Sequence, residues 1–248
     1  MTVSFNNTSL TLILFSFVIT SSFAQTYKDS TIELLPIEHA SLIINALDKS
    51  IAIDPVGSNI VSKKSIDFIL ITDIHGDHFD QSALEQLITP TSKIMAPKAV
   101  FEQMNLRLQS LTTVLENGEV FQDKSIKIEA IPMYNLREEA KNFHRKGRGN
   151  GYVLSLNNER IYISGDTEDI PEMRSLKDID VALICMNLPY TMTESSAASA
   201  VMEFKPKKVI PYHYRGRPNV SNLDLFEELI TDTSIEVIRL DWYPKMEY

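Results

Sequence analysis

The apolar, β-branched run Phe68-Ile69-Leu70-Ile71-Thr72 passes directly into Asp73-Ile74-His75-Gly76-Asp77-His78. A run of that length bounded by a polar segment predicts a short buried strand. Four side chains able to bind a metal stand within six residues of its end. A strand running into a loop dense in imidazole and carboxylate is how a scaffold delivers ligands to an ion. The competing reading is local: Asp77 or Asp80 accepts backbone N–H bonds at the start of a helix near Asp80. Capping explains one acid and leaves both imidazoles unexplained, so the density favours a metal site.

Further strands are predicted at Thr31 to Ile37, Ser41 to Ala46, Ile51 to Asp54, Asp67 to Thr72, Ser125 to Ile131, Gly151 to Leu156, Arg160 to Ser164, Val181 to Met186, Lys208 to Pro211 and Ile235 to Leu240, each rich in β-branched residues. Ser82 to Leu87, Lys98 to Met104, Glu194 to Phe204 and Leu223 to Ile230 space their apolar residues by three and four, as helices do, and Ser221 with Asp224 predicts a capping box. Strands cluster first as hairpins and then alternate with helices. That order predicts an α/β (α+β) chain in which two mixed sheets pack together with helices outside, an αββα sandwich.

The segment Asp73 to His78 resembles the signature of the metallo-β-lactamase fold superfamily, His-x-His-x-Asp-His after an apolar strand, with Asp73 in place of the first His. Later segments resemble the same superfamily in order: Ile131-Pro132-Met133-Tyr134-Asn135, Ile163-Ser164-Gly165-Asp166-Thr167 and Ile210-Pro211-Tyr212-His213-Tyr214. The likeness runs from about Leu34 to Tyr243. It is greatest to the branch of ascorbate-phosphate lactonase-like and phosphodiesterase-like hydrolases, in which an early His-Ala-Ser (His39-Ala40-Ser41) and an Asp-Pro (Asp54-Pro55) also occur.

The resemblance implies roles for individual residues. Asp77, His78, Asp166 and His213 match one complete metal position, with Asp166 as the residue that bridges two ions. The other position is altered, offering Asp73, His75 and, where a third His belongs, Asn135. Carboxylate in place of imidazole makes a site harder. The expected cofactor is a divalent transition metal, Zn first and Mn or Fe next, with one ion tight and the second weak or absent unless His144 completes it. His39 and Asp54 each have two readings: near the site, with Asp54 orienting a ligand His, or a core hydrogen bond and a turn.

The chemistry implied is hydrolysis, in which metal-activated water attacks a carbonyl or phosphorus centre. Asp77 orients the water, and His144 is a second catalytic candidate. Arg137, Lys141, Arg145, Lys146 and Arg148 cluster in an acidic chain, and Arg215 and Arg217 follow His213. A solvated basic loop is one reading; Arg148, Arg215 and Asn135 holding an anionic substrate is the other. The substrate expected is a small ester, lactone or phosphodiester. The alternative is a non-catalytic or degenerate metal-binding member of the same fold.

A net charge of −9 opposes a general phosphate footprint, so no nucleic-acid partner is expected. With 248 residues, 44% of them hydrophobic, one domain at 25–248 is predicted. Residues 1–24 read as a signal peptide: an apolar run, Leu10 to Ala24, ends in Ser22-Phe23-Ala24 before Gln25, although no Lys or Arg precedes it. Export to the periplasm or medium is the expectation, an uncleaved membrane anchor the alternative; no other membrane contact is expected, and the sequence is silent on oligomeric state. The single cysteine, Cys185, lies in an apolar run and reads as core.

Overall fold

A computed structural model describes residues 26–29, 31–60, 66–124 and 126–243; the expected signal peptide lies outside them. Two seven-stranded sheets follow one another along the chain. The first contains β1 (Tyr27–Lys28), β2 (Ile32–Glu38), β3 (Ser41–Ala46), β4 (Lys49–Ile53), β5 (Phe68–Leu70), β6 (Lys93–Ala96) and β7 (Thr112–Val114) in that order. The second contains β8 (Val120–Gln122), β9 (Ile126–Met133), β10 (Gly149–Leu156), β11 (Glu159–Ile163), β12 (Val181–Cys185), β13 (Lys208–Tyr212) and β14 (Glu236–Val237). Both begin antiparallel and turn parallel, the first from β4 onward and the second from β11 onward.

Alternation decides which face each side chain covers. Ile51, Ile53, Phe68 and Leu70 enter the core between the sheets, against β9 to β13, while Ala52, Ile69 and Ile71 point outward. The outward set packs with Leu84 and Leu87 of α1 (Gln81–Leu87), Val100 of α2 (Lys98–Phe101) and Leu108 of α3 (Leu106–Gln109). The second sheet is covered by α4 (Pro171–Arg174), α5 (Glu194–Phe204) and α6 (Leu223–Leu229), with Ala197, Val201, Phe204 and Phe226 buried. The expected αββα sandwich is therefore present. Among the described residues no helix is long and apolar enough to cross a membrane.

Differences from expectation are local. Asp80 caps α1 by accepting from the backbone of Ser82 and Ala83 at 2.9 and 3.1 Å. Asn222, not a Ser221–Asp224 box, caps α6 by accepting from Leu225 N, because Ser221 Oγ is engaged by the Met186 carbonyl. The predicted strand Ile235 to Leu240 contracts to Glu236–Val237. β6, β7 and β8 escaped prediction: each has only three or four residues, and β7 and β8 end their sheets with no clean alternation to read.

Candidate metal centre

The parallel strands deliver their following loops to one edge of the sandwich. β5 leads into Asp73 to His78, β11 into Asp166, β13 into His213 and β4 into Asp54. The backbone at Asp54 (φ 42°), His213 (φ 48°) and His39 (φ 57°) is left-handed, a conformation that non-glycine residues adopt only when the surroundings hold them there.

The structure brings Asp77, His78, Asp166 and His213 together. The Nε2 atoms of His78 and His213 face each other at 3.1 Å, and lie 3.3 and 3.1 Å from Asp166 Oδ2 and Oδ1. Asp77 closes the group, with Oδ1 3.8 Å from His78 Nε2 and Oδ2 3.7 Å from His213 Nε2. His78, Asp166 and His213 are buried, whereas the Asp77 side chain is 41% exposed and opens into a cavity. Asp166 Oδ1 is buried and has no hydrogen-bond partner. An orphan carboxylate oxygen facing convergent imidazole nitrogens fits a divalent transition ion, for which this is a suitable donor set.

Electrostatics sharpen the group. Burial opposes ionisation of Asp166, but His213, His78 and His144 outweigh it and hold its pKa well below the usual carboxylate range. Burial also opposes a charge on His78, yet Asp166 and Asp54 raise its pKa well above normal. His213 goes the other way: burial pushes it down to about 4, so at neutral pH it carries a free ring nitrogen able to ligate. Asp77 stays ionised: burial opposes its charge, but a hydrogen bond from His39 and the nearby His78 lower its pKa.

Asp54 takes the orienting role. It accepts from the backbone N–H and hydroxyl of Thr72 at 2.7 and 2.6 Å, and its Oδ2 lies 2.8 Å from His78 Nδ1. That contact turns His78 Nε2 toward the centre. His39 is held between Tyr243 OH at 2.7 Å and Asp77 Oδ2 at 3.2 Å.

The second position gathers Asp73, His75 and His144. His144 arrives from the loop between β9 and β10, with Nε2 3.1 Å from Asp166 Oδ2 and 3.9 Å from Asp73 Oδ2. Asn135 braces the loop carrying His144: its amide donates to the carbonyls of Ala140 and Tyr190 and its backbone N–H to that of His144, while its Oδ1 is buried without a hydrogen-bond partner. Arg148 does not face open space for a substrate; its guanidinium grips Asp73 at 3.0 and 2.7 Å. The rest of the basic cluster is engaged as well, Arg137 by Glu168, Lys141 by Glu138 and Lys146 by Glu172.

A cavity of about 480 Å³ opens over both positions. Arg215 and Arg217 line it, Arg215 lying 5.2 Å from the Tyr243 ring centroid. Phe143 and Tyr190, edge to face at 5.1 Å, and Asn187 complete its walls. Sequence reasoning missed these three; Asn187 follows β12 as the candidate ligands follow their strands, and that rule would have found it. Cys185 is buried and its pKa is pushed up to about 12 by burial, which removes it as a nucleophile.

The sequence profile described as "Beta-lactamase superfamily domain" matches residues 33–213. A protein from Thermococcus onnurineus described as a metal-dependent hydrolase is 31% identical over 201 residues, 77% of this chain and 88% of that protein. A crystal structure from Parabacteroides distasonis, also described as a metal-dependent hydrolase, superposes with a TM-score of 0.80 at 35% identity, covering 88% of this chain and 99% of the other. A metallo hydrolase from Ignicoccus hospitalis shares the fold, with a TM-score of 0.71 at 20% identity over 85% of this chain and 95% of that one.

Proposed function

The chain belongs to the beta-lactamase superfamily and is a metal-dependent hydrolase, and from that premise we propose that it cleaves a small ester, lactone or phosphodiester bearing an anionic group, using one tightly held divalent metal. Asp77, His78, Asp166 and His213 would hold the ion, for which Zn is the first candidate and Mn or Fe the next. The observation that carries this reading is the juxtaposition of the His78, Asp166 and His213 cluster, with Asp77 at its edge, and the arginine-lined cavity. When bound, a metal there supplies water acidified toward neutrality and positive charge for a developing oxyanion.

The chain's own residues do the rest. Asp77, the ligand candidate open to the cavity, accepts a hydrogen bond from a group there and keeps it aligned, while His39, on the same cavity wall, fixes the carboxylate. His144 lines the same cavity beside Asp166 and can hold or pass a proton at Nε2. Arg215 and Arg217 attract the anionic end of a substrate. Phe143 and Tyr190 give an apolar wall that excludes water from one side.

A panel of lactones, carboxylic esters, β-lactams and phosphodiesters, assayed with Zn, Mn and Fe supplied separately, tests the substrate class. Turnover of an anionic ester, lactone or phosphodiester is expected; none with any metal, while metal stays bound, would favour the non-catalytic alternative. On the active compound, Arg215→Ala should raise KM by about 10- to 100-fold and leave kcat nearly unchanged, as for loss of a charged contact made equally in ground and transition states. A fall in kcat alone would place Arg215 elsewhere in the mechanism. Export is proposed from the Leu10 to Ala24 run, and mass spectrometry of the mature chain should find Gln25 first; an intact Met1 in a soluble cytosolic pool would refute it.

A further inference from the structure

The two metal positions are not equally open. Asp166 presents a buried oxygen without a hydrogen-bond partner. Asp73 is fully buried and engaged through both oxygens: Oδ1 accepts from Arg148 Nε at 3.0 Å, while Oδ2 accepts from Arg148 Nη2 at 2.7 Å and lies 2.9 Å from His75 Nδ1. The same Nη2 is 3.4 Å from His75 Nε2 and also donates to the Phe143 carbonyl. Both ring nitrogens of His75 thus face this ion pair.

We propose that Arg148 is a built-in cationic occupant of the second metal position, and that it limits this chain to a single ion. The inference rests on the metal-hydrolase reading above and concerns only the Asp73, His75 and His144 position. Apart from Asp166, which it shares with the first position, that position brings one carboxylate, Asp73, and the guanidinium already neutralises it. A divalent ion entering there would meet a fixed positive charge and would have to break a two-point grip on Asp73, the one carboxylate it would not share with the first position. Displacing Arg148 is costly, because a partly buried guanidinium deprived of its partner keeps its charge.

The backbone builds the arrangement in. Arg148 immediately precedes Gly149, where an added Cβ would lie 2.8 Å from the Thr72 carbonyl oxygen. That carbonyl also accepts from Asn150 N at 2.9 Å. Glycine therefore lets β10 pass against the residue just before Asp73, and the close approach sets the Arg148 side chain beside its partner across 75 residues of sequence. Arg148 stands apart from its neighbours Arg145 and Lys146, whose side chains are engaged at the loop's outer surface by Asn142 and Glu172.

The test counts metal. Apoprotein made by chelation is reloaded with zinc, dialysed and analysed for bound metal. Wild type is expected to retain one equivalent, and Arg148→Met to retain two. Arg148→Gln serves as a second variant if the methionine form does not fold, since its amide nitrogen stands where Arg148 Nε does and can still donate to Asp73 Oδ1 without carrying a charge. Adding His144→Ala to either variant should return the count to one. Two equivalents in wild type would overturn the inference, as would one equivalent in variants that still melt cooperatively. A wild type that binds no metal would remove the hydrolase reading itself, a result distinguishable from the others.

Discussion

Replacing Asp77 with alanine is expected to lower kcat/KM by roughly 10³- to 10⁴-fold, the scale seen when one member of a catalytic constellation is lost. The fold should survive. The side chain is 41% exposed, and apart from the metal group it contacts His39 at 3.2 Å. Apoprotein stability should therefore change by less than about 1 kcal/mol, as for substitutions outside the core. Rate and metal content must be measured together. Asp77→Asn keeps an oxygen in place but not its charge, and it should recover part of the metal affinity and little of the rate. Activity within tenfold of wild type, with metal retained, would exclude Asp77 from the machinery.

Asp54→Ala should act in the opposite way, through structure first. It removes the acceptor for two donors of Thr72 and the partner of His78 Nδ1, all in a region from which water is excluded. Breaking a buried charge pair by deleting one member costs about 3–5 kcal/mol. His78 also loses the contact that aims its Nε2, so metal affinity should drop by about 10- to 100-fold. Denaturant unfolding of the apoprotein and a metal titration separate the two effects. A destabilisation below about 1 kcal/mol would mean that the pair contributes far less than buried pairs do.

What the sequence disclosed about the site was what is local. Asp73, His75, Asp77 and His78 fall in one loop after one strand, and strand ends at Asp166 and His213 follow the same rule. Long-range pairings were not legible. Nothing in the sequence ties Arg148 to Asp73 or Arg137 to Glu168, because the first pairing is set by how the two sheets dock and the second by which loops the second sheet brings side by side. Asn135 shows the same gap: it occupies a ligand's place in the motif order, yet its amide turns toward Ala140 and Tyr190. The strands with β-branched alternation emerged within a few residues of their ends. Those that were missed are too short for a period of two to be visible.

The division of the proposed ligands between the sheets bears on biogenesis. Asp77 and His78 follow a strand of the first sheet, Asp166 and His213 strands of the second, and the facing imidazoles of His78 and His213 are 135 residues apart in the chain. The first half alone would bring only Asp77 and His78 to that position, too few for a tetrahedral site, so a nascent chain at that stage would not yet hold an ion there. Capture waits for the sheets to dock, and contacts between residues so distant in sequence form slowly. An ion held by these four residues would be a clasp on that long loop and would resist the separation of the two sheets. Chelation should therefore loosen the sandwich first along this edge, and faster amide exchange at the ends of β5 and β13 than in β3 or β10 is the expected trace of that opening.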